Sequence, residues 1–211
     1  MNKKILIGIG IVIFLIIGFS ISDRSKESNN ISTNQQVDKK VQQEEFLKLY
    51  RIALSGIKIS NSMFYTTHNL LNKADRATMY NILKSSEEAH EKLTVSLKTV
   101  SVDIDRTHPS LKEYRKDIAQ SFDELADVFA HRQLESKYLA DYLNTGNLES
   151  YRKTTNEMEG TGETMSNAVS RLVFGVGKKL DMDTNSLDEE YQKINVEVKQ
   201  EFENRFGKVT Q

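Results

Sequence analysis

Apolar side chains recur at helical spacing along nearly the whole chain. From Val37 to about Asn72 the stripe runs Phe46, Leu49, Tyr50, Ala53, Gly56, Ile57, Ser60, Met63, Phe64, Thr67, Leu70 and Leu71. Its steps form a seven-residue repeat with a wide buried face. The positions opening each repeat after Phe46 are small (Ala53, Ser60, Thr67), which lets a neighbouring helix come close. Asn72-Lys73-Ala74-Asp75 breaks the pattern, and Asp75 is a suitable N-cap for a second helix. That helix is predicted to about Val100, with the stripe Met79, Ile82, Leu83, Ala89, Leu93, Leu97 and Val100.

Ser101 to His108 read as a connection, and Pro109 fits the first turn of a third helix, where its missing N–H costs nothing. The third stripe is Leu111, Tyr114, Ile118, Phe122, Leu125, Val128 and Phe129, then Leu139, Tyr142 and Leu143. Asn144-Thr145-Gly146-Asn147 makes a turn, with Gly146 suited to a left-handed backbone and Asn147 to an N-cap. A fourth stripe runs from Leu148 and Tyr151 through Met158, Met165, Ala168, Val169, Leu172, Val173 and Val176 to Leu180. Ser186 with Glu189 reads as a capping box opening a tail helix, whose stripe is Leu187, Tyr191, Ile194, Val198, Phe202 and Phe206. The expected fold class is all-α: an up-down-up-down four-helix bundle over residues 37–183 with an extra C-terminal amphipathic helix over 184–211.

The N-terminus is patterned differently. Ile5 to Ile21 are apolar apart from Gly8, Gly10, Gly18 and Ser20, and Lys3 and Lys4 precede them. Such a run, rising about 1.5 Å per residue, spans roughly 26 Å, just short of a ~30 Å hydrocarbon core. Residues 1–22 therefore read as a transmembrane signal anchor with the basic side in the cytoplasm and the bulk of the chain outside the cell membrane. Ser20-Ile21-Ser22 is also a small-x-small triplet, so a signal peptide cleaved before Asp23 is the competing reading; the run is long for one. Residues 23–36 hold one apolar side chain, Ile31, among Asn, Ser, Thr and Gln, and read as a flexible tether.

Composition narrows the function classes. The chain has 211 residues, a net charge of −1, one Pro and no Cys. Few Pro and Gly argue against a turn-rich β fold. The lack of Cys excludes disulfides, thiolate metal sites and cysteine nucleophiles. Near-neutrality removes the electrostatic footprint of a nucleic-acid binder.

Candidate chemistry is sparse. Glu87-x-x-His90 has the spacing of a di-metal carboxylate motif, but a di-iron bundle needs two such motifs and two further inward Glu residues. The expectation is solvated helix surface with His90 at the stripe's edge, and no cofactor is predicted. The stronger signal is a lapse between Phe129 and Leu139, where Arg132 and Glu135 occupy places expected to be apolar. Folding the helices against one another puts His68, Arg132, Glu135, Thr155 and Glu159 in one layer, a candidate ligand pocket. The same lapse also reads as a polar layer fixing helix register, or as an i,i+3 pair in solvent. The solvated pair, with a loss within about 1 kcal/mol for Arg132→Ala, is the expectation. Gly160 and Gly162 interrupt the fourth stripe at a cost of about 1 kcal/mol each. They point to a kink, a close helix contact, a ligand approach or a tolerated weak spot; with Gly175 and Gly177 they suggest small residues facing the first helix.

Tyr138-Leu139-Ala140-Asp141-Tyr142-Leu143-Asn144-Thr145-Gly146-Asn147, followed by Tyr151, resembles the turn of extracytoplasmic four-helix-bundle sensor domains, which reads tyrosine-leucine, threonine-glycine-aspartate or asparagine, then tyrosine. Those domains sit outside the membrane in chemoreceptors and sensor kinases. The resemblance covers about 14 residues. The chain lacks that family's second membrane helix and cytoplasmic signalling module, so the resemblance implies a stand-alone version that does not signal across the membrane by itself. It carries over no binding residues. The reading is an exported, membrane-tethered, non-enzymatic bundle that binds a protein or small molecule at the bacterial cell surface. The membrane is its partner through residues 5–21, and self-association through the C-terminal helix is possible. The alternative is a metal-binding or enzymatic bundle using His68, His90 or His131 with nearby carboxylates.

Overall fold

A computed structural model describes residues 34–207, and among them all regular structure is helical. Helix α1 spans Asn34–Leu70, α2 Arg76–Thr107 and α3 Arg115–Thr145. A fourth leg is built from α4 (Leu148–Met158), α5 (Thr161–Ser170) and a π-helical stretch over Arg171–Gly177. Helix α6 spans Thr184–Phe206. The segment read as a membrane anchor, and the tether up to residue 33, lie outside the described residues. Among the described residues no helix is long and apolar enough to cross a membrane.

Local chemistry accounts for most of the breaks. Asp75 caps α2 by accepting from the Thr78 N–H at 2.9 Å. Gly146 ends α3 in the left-handed region, with φ 74°, and Asn147 caps α4 by accepting from the Glu149 N–H. Both turns follow the reading of the sequence.

Elsewhere the structure corrects it. Asn34, Gln35 and Gln36 are already helical rather than tether. Ser101–His108 is not a connection: α2 continues to Thr107, because Ser101 and Ile104 are buried and extend its apolar face. Pro109 then stops it, since a residue preceding proline is driven out of the helical region. Pro109 opens a 3₁₀ turn, Pro109–Tyr114, ahead of α3. The Ser186–Glu189 box does not cap the tail helix. Asp183 does, accepting from the N–H groups of Asn185 and Ser186, so the cap lies three residues earlier and the helix starts at Thr184.

Cross-helix contacts fix the directions. Arg76 reaches the Asn144 carbonyl, Ser86 meets Ser136, and Arg115 meets Asp105, so α2 and α3 run antiparallel. His131 with Glu157, Glu124 with Arg171 and Asp117 with Lys179 set the fourth leg antiparallel to α3. The Tyr50 hydroxyl donates to the Leu187 carbonyl at 2.6 Å, Lys58 meets Glu197 at 2.7 Å, and Tyr65 packs edge-on against Phe202. Those contacts lay α6 parallel to α1, so the tail helix docks on its own bundle. One end of the molecule thus gathers the start of α1, the end of α2 and Leu180. The other gathers Leu70, the 144–147 turn and Phe206.

The core divides in two. The larger cluster includes Phe46, Tyr50, Ile57, Leu93, Phe122, Phe129, Val169, Val176, Leu187 and Val198. A smaller cluster of Met79, Leu83, Leu139 and Ala140 lies nearer the 144–147 turn. Gly177 sits in the larger one: a Cβ there would come 2.9 Å from Leu187 and 3.6 Å from the Phe46 ring, so it is a close-approach glycine facing α1 and α6. Gly175 instead borders Arg171 and Asp117, and Gly162 has open space, so close packing does not explain either.

Candidate functional site

The site is the seam between the two apolar clusters, and three helices supply it. Helix α1 contributes Ser60, Asn61, Phe64 and His68. Helix α2 contributes Ser86 and His90, and α3 contributes Arg132, Glu135 and Ser136. Ser60, Ser86, His90, Arg132, Glu135 and Ser136 are all buried, Arg132 with 6% of its surface exposed and Glu135 with 4%. The two lapses in the α3 stripe are therefore not a solvated pair.

Arg132 is the centre. Its Nη1 donates to Ser60 Oγ and to Asn61 Oδ1, each at 2.7 Å, and its guanidinium lies 4.7 Å from the centroid of the Phe64 ring. Nε is buried without a hydrogen-bond partner. Neutral oxygens and an aromatic face thus hold a cation that makes no carboxylate contact. Burial pulls its pKa down to about 10, with the nearby Glu135 charge opposing that fall. The group stays protonated at neutral pH. Glu135 turns instead to His68, whose Nε2 lies 2.9 Å from Oε1. His68 is partly exposed, and its ring packs on Phe64 at 4.2 Å.

The second half of the seam is neutral. His90 Nδ1 lies 2.9 Å from the Ser86 carbonyl oxygen, an acceptor, so Nδ1 carries the proton and Nε2 accepts. Ser60, already accepting from Arg132, donates to that Nε2 at 2.9 Å. Ser136 donates to the Arg132 carbonyl, leaving Ser86 to donate to Ser136 at 2.9 Å. The chain Arg132–Ser60–His90–Ser86 ties α3 to α1 and α1 to α2. Sliding any of these helices by one turn would strand a cation and several polar groups inside the core.

Burial, followed by the Arg132 charge, lowers the His90 pKa to about 3. A histidine held neutral when folded gives stability that is present above its unfolded pKa of about 6.5 and is lost as pH falls through the folded value. The bundle is expected to lose on the order of a few kcal/mol from this group between pH 6.5 and 3. Denaturant titrations across that window should show a shallower pH slope for His90→Gln than for the parent chain. Equal slopes would mean that His90 is not sealed in its neutral form.

Of the residues expected to share a layer, His68, Arg132 and Glu135 come together. Thr155 and Glu159 do not: both are exposed on the fourth leg, whose packing turns Thr154 and Met165 inward instead. His90 is sealed in the core, which corrects its reading as the edge of a solvated face, while Glu87 is half-buried and pairs with Lys84 along the helix surface. The histidines do not converge. His68 meets Glu135, His131 meets Glu157 at 2.9 Å, and His90 lies among serines. Among the described residues no three His, Asp or Glu side chains gather as a metal site would need. Ser60 and His90 have the contact of a nucleophile and its base. Both are closed off from solvent, and Arg132 occupies a lone pair of the hydroxyl, so this pair serves packing rather than attack.

Sequence reasoning missed Ser60, Asn61, Ser86, His90 and Ser136 as members of the layer. A signal was present: the α2 stripe skips from Leu83 to Ala89, and Ser86 and His90 stand at that gap. It lies level with the lapse at Arg132 once the helices are folded back on one another.

No protein-family model matches the chain, and no curated protein or solved structure matches it.

Proposed function

We propose that this chain is a membrane-tethered, extracytoplasmic interaction module, non-enzymatic, working at the bacterial cell surface. The supporting observation is the run Ile5–Ile21 behind Lys3 and Lys4, followed by a polar stretch that leads directly into α1. A basic flank holds the N-terminal side in the cytoplasm and sends the remainder across. The tether then joins the bundle where α1 begins, and the 144–147 end points away from the membrane. At that far end Tyr80, Leu148, Tyr151 and Phe206 are exposed. Tyrosine and phenylalanine are enriched where proteins meet partners, and these side chains are the contact surface in this reading. The likeness of the Tyr138–Tyr151 turn to sensor-domain hairpins supports the same placement. The polar layer acts as the key that sets helix register.

Site-specific photo-crosslinking in intact cells tests the reading. A crosslinker replacing Tyr151 should give a discrete adduct, and one replacing Val102, exposed near the opposite end, should give none. Adducts from Val102 alone would overturn the assignment of the contact surface.

A further inference from the structure

Helix α4 is set apart from the rest of the bundle. Its buried residues are Ser150 and Thr154, both small and polar, whereas α5 buries Met165, Ala168 and Val169. Leu148 and Tyr151, two of its three large apolar side chains, are 62% and 48% exposed. Its packing is against α3. The contacts are Tyr151 on Tyr142 with ring centroids 5.1 Å apart, Lys153 over the Tyr138 ring, Glu157 with His131, and Ser150 with Asp141.

Left-handed glycines flank α4, each one residue beyond its caps Asn147 and Glu159. Gly146 has φ 74° and Gly160 has φ 75°, and a Cβ at either would meet nothing within 4 Å. Glycine turns through such conformations at little steric cost, and neither glycine is wedged against a neighbour. An 11-residue helix is marginal alone in water, and segments with few buried apolar contacts open at low free energy.

We infer that α4 is a hinged flap that swings as a unit on Gly146 and Gly160, uncovering Tyr138 and Tyr142 while α3 and α5 stay folded. Opening removes few apolar contacts, uncovers the small buried side chains Ser150 and Thr154, and breaks polar contacts that are exposed or part-buried. It presents a tyrosine face of α3 that the closed bundle half covers.

Hydrogen exchange on the full chain in detergent tests this. Amides of 148–158 should be protected at least about 100-fold less than those in the middle of α3 and in α5, the pattern of a local opening rather than global unfolding. The chain has no Cys, so a Tyr142→Cys/Tyr151→Cys pair bridged by a short bis-thiol reagent should pin the flap. Bridging should raise protection over 148–158 about tenfold relative to the unbridged variant, leaving α1 and α2 unchanged. Equal protection in α4 and α5 of the parent chain would overturn the inference, and so would a bridge that leaves exchange over 148–158 unaltered. The parent-chain comparison decides the matter even if the double variant misfolds.

Discussion

Ending the chain at Asp183 should lower the melting temperature by at least about 6 °C. Helix α6 buries Leu187, Ile194, Val198 and Phe202 against the bundle, each 3–5% exposed. Burying a side chain of that kind contributes roughly 1.5–3 kcal/mol, so the four contribute about 6–12 kcal/mol before the entropy of ordering the helix is subtracted. Whole domains are stable by about 5–15 kcal/mol. Even a net loss of about 3 kcal/mol moves the melting temperature of a protein this size by about 6–12 °C. The docking is specific as well as apolar. Lys58 meets Glu197 at 2.7 Å and Glu201 at 3.0 Å, and the truncation would strip the Leu187 carbonyl from the buried Tyr50 hydroxyl. Calorimetry with mass measurement in solution checks the expectation, with the truncated bundle keeping the same monomeric state. An unchanged melting temperature would show that α6 adds nothing. A dimer that becomes a monomer would make α6 a self-association surface.

Arg132→Ala should cost about 3–5 kcal/mol, the loss typical of removing one member of a buried charged network. The substitution leaves Glu135 buried with only His68 beside it and opens a cavity beneath Phe64. It also frees Ser60 and Asn61 from their donor. Arg132→Met strips the same charge and hydrogen bonds but keeps most of the volume, so it should lose less than Arg132→Ala by the cavity term alone. Denaturant titrations of the two variants separate charge from volume. A loss within about 1 kcal/mol for Arg132→Ala would put the guanidinium in solvent after all.

The helical architecture was legible because apolar periodicity survives in each stripe. Asp75, Gly146 and Asn147 marked breaks correctly because a cap or a left-handed turn is a local property of one residue. The errors came where the deciding partner is distant in sequence. Ser101–Thr107 stays helical because Ile104 is buried among other helices. The start of α6 is decided by Asp183, whose carboxylate accepts from the Asn185 and Ser186 N–H groups and so takes Ser186 into the first turn before it can cap. The layer was half legible: a polar residue in an apolar stripe is visible, but its depth depends on what closes over it. Arg132 looked solvated because its own helix says nothing of Ser60, Asn61 and Phe64 on another. Thr155 and Glu159 fall outside the layer because their expected level assumes one continuous fourth helix, whereas Gly160 breaks it with φ 75° and a π-helical stretch follows.

In the proposed function the bundle lies outside the membrane, tethered by its N-terminus. Thiol labelling of Ser28→Cys in intact cells tests it most directly, because the parent chain has no Cys to give background. A membrane-impermeant maleimide should label the variant in whole cells as fully as after lysis, with the labelled chain in the membrane fraction. Labelling that appears only after lysis would contradict export, and a labelled chain starting at Asp23 and free in the medium would contradict the tether.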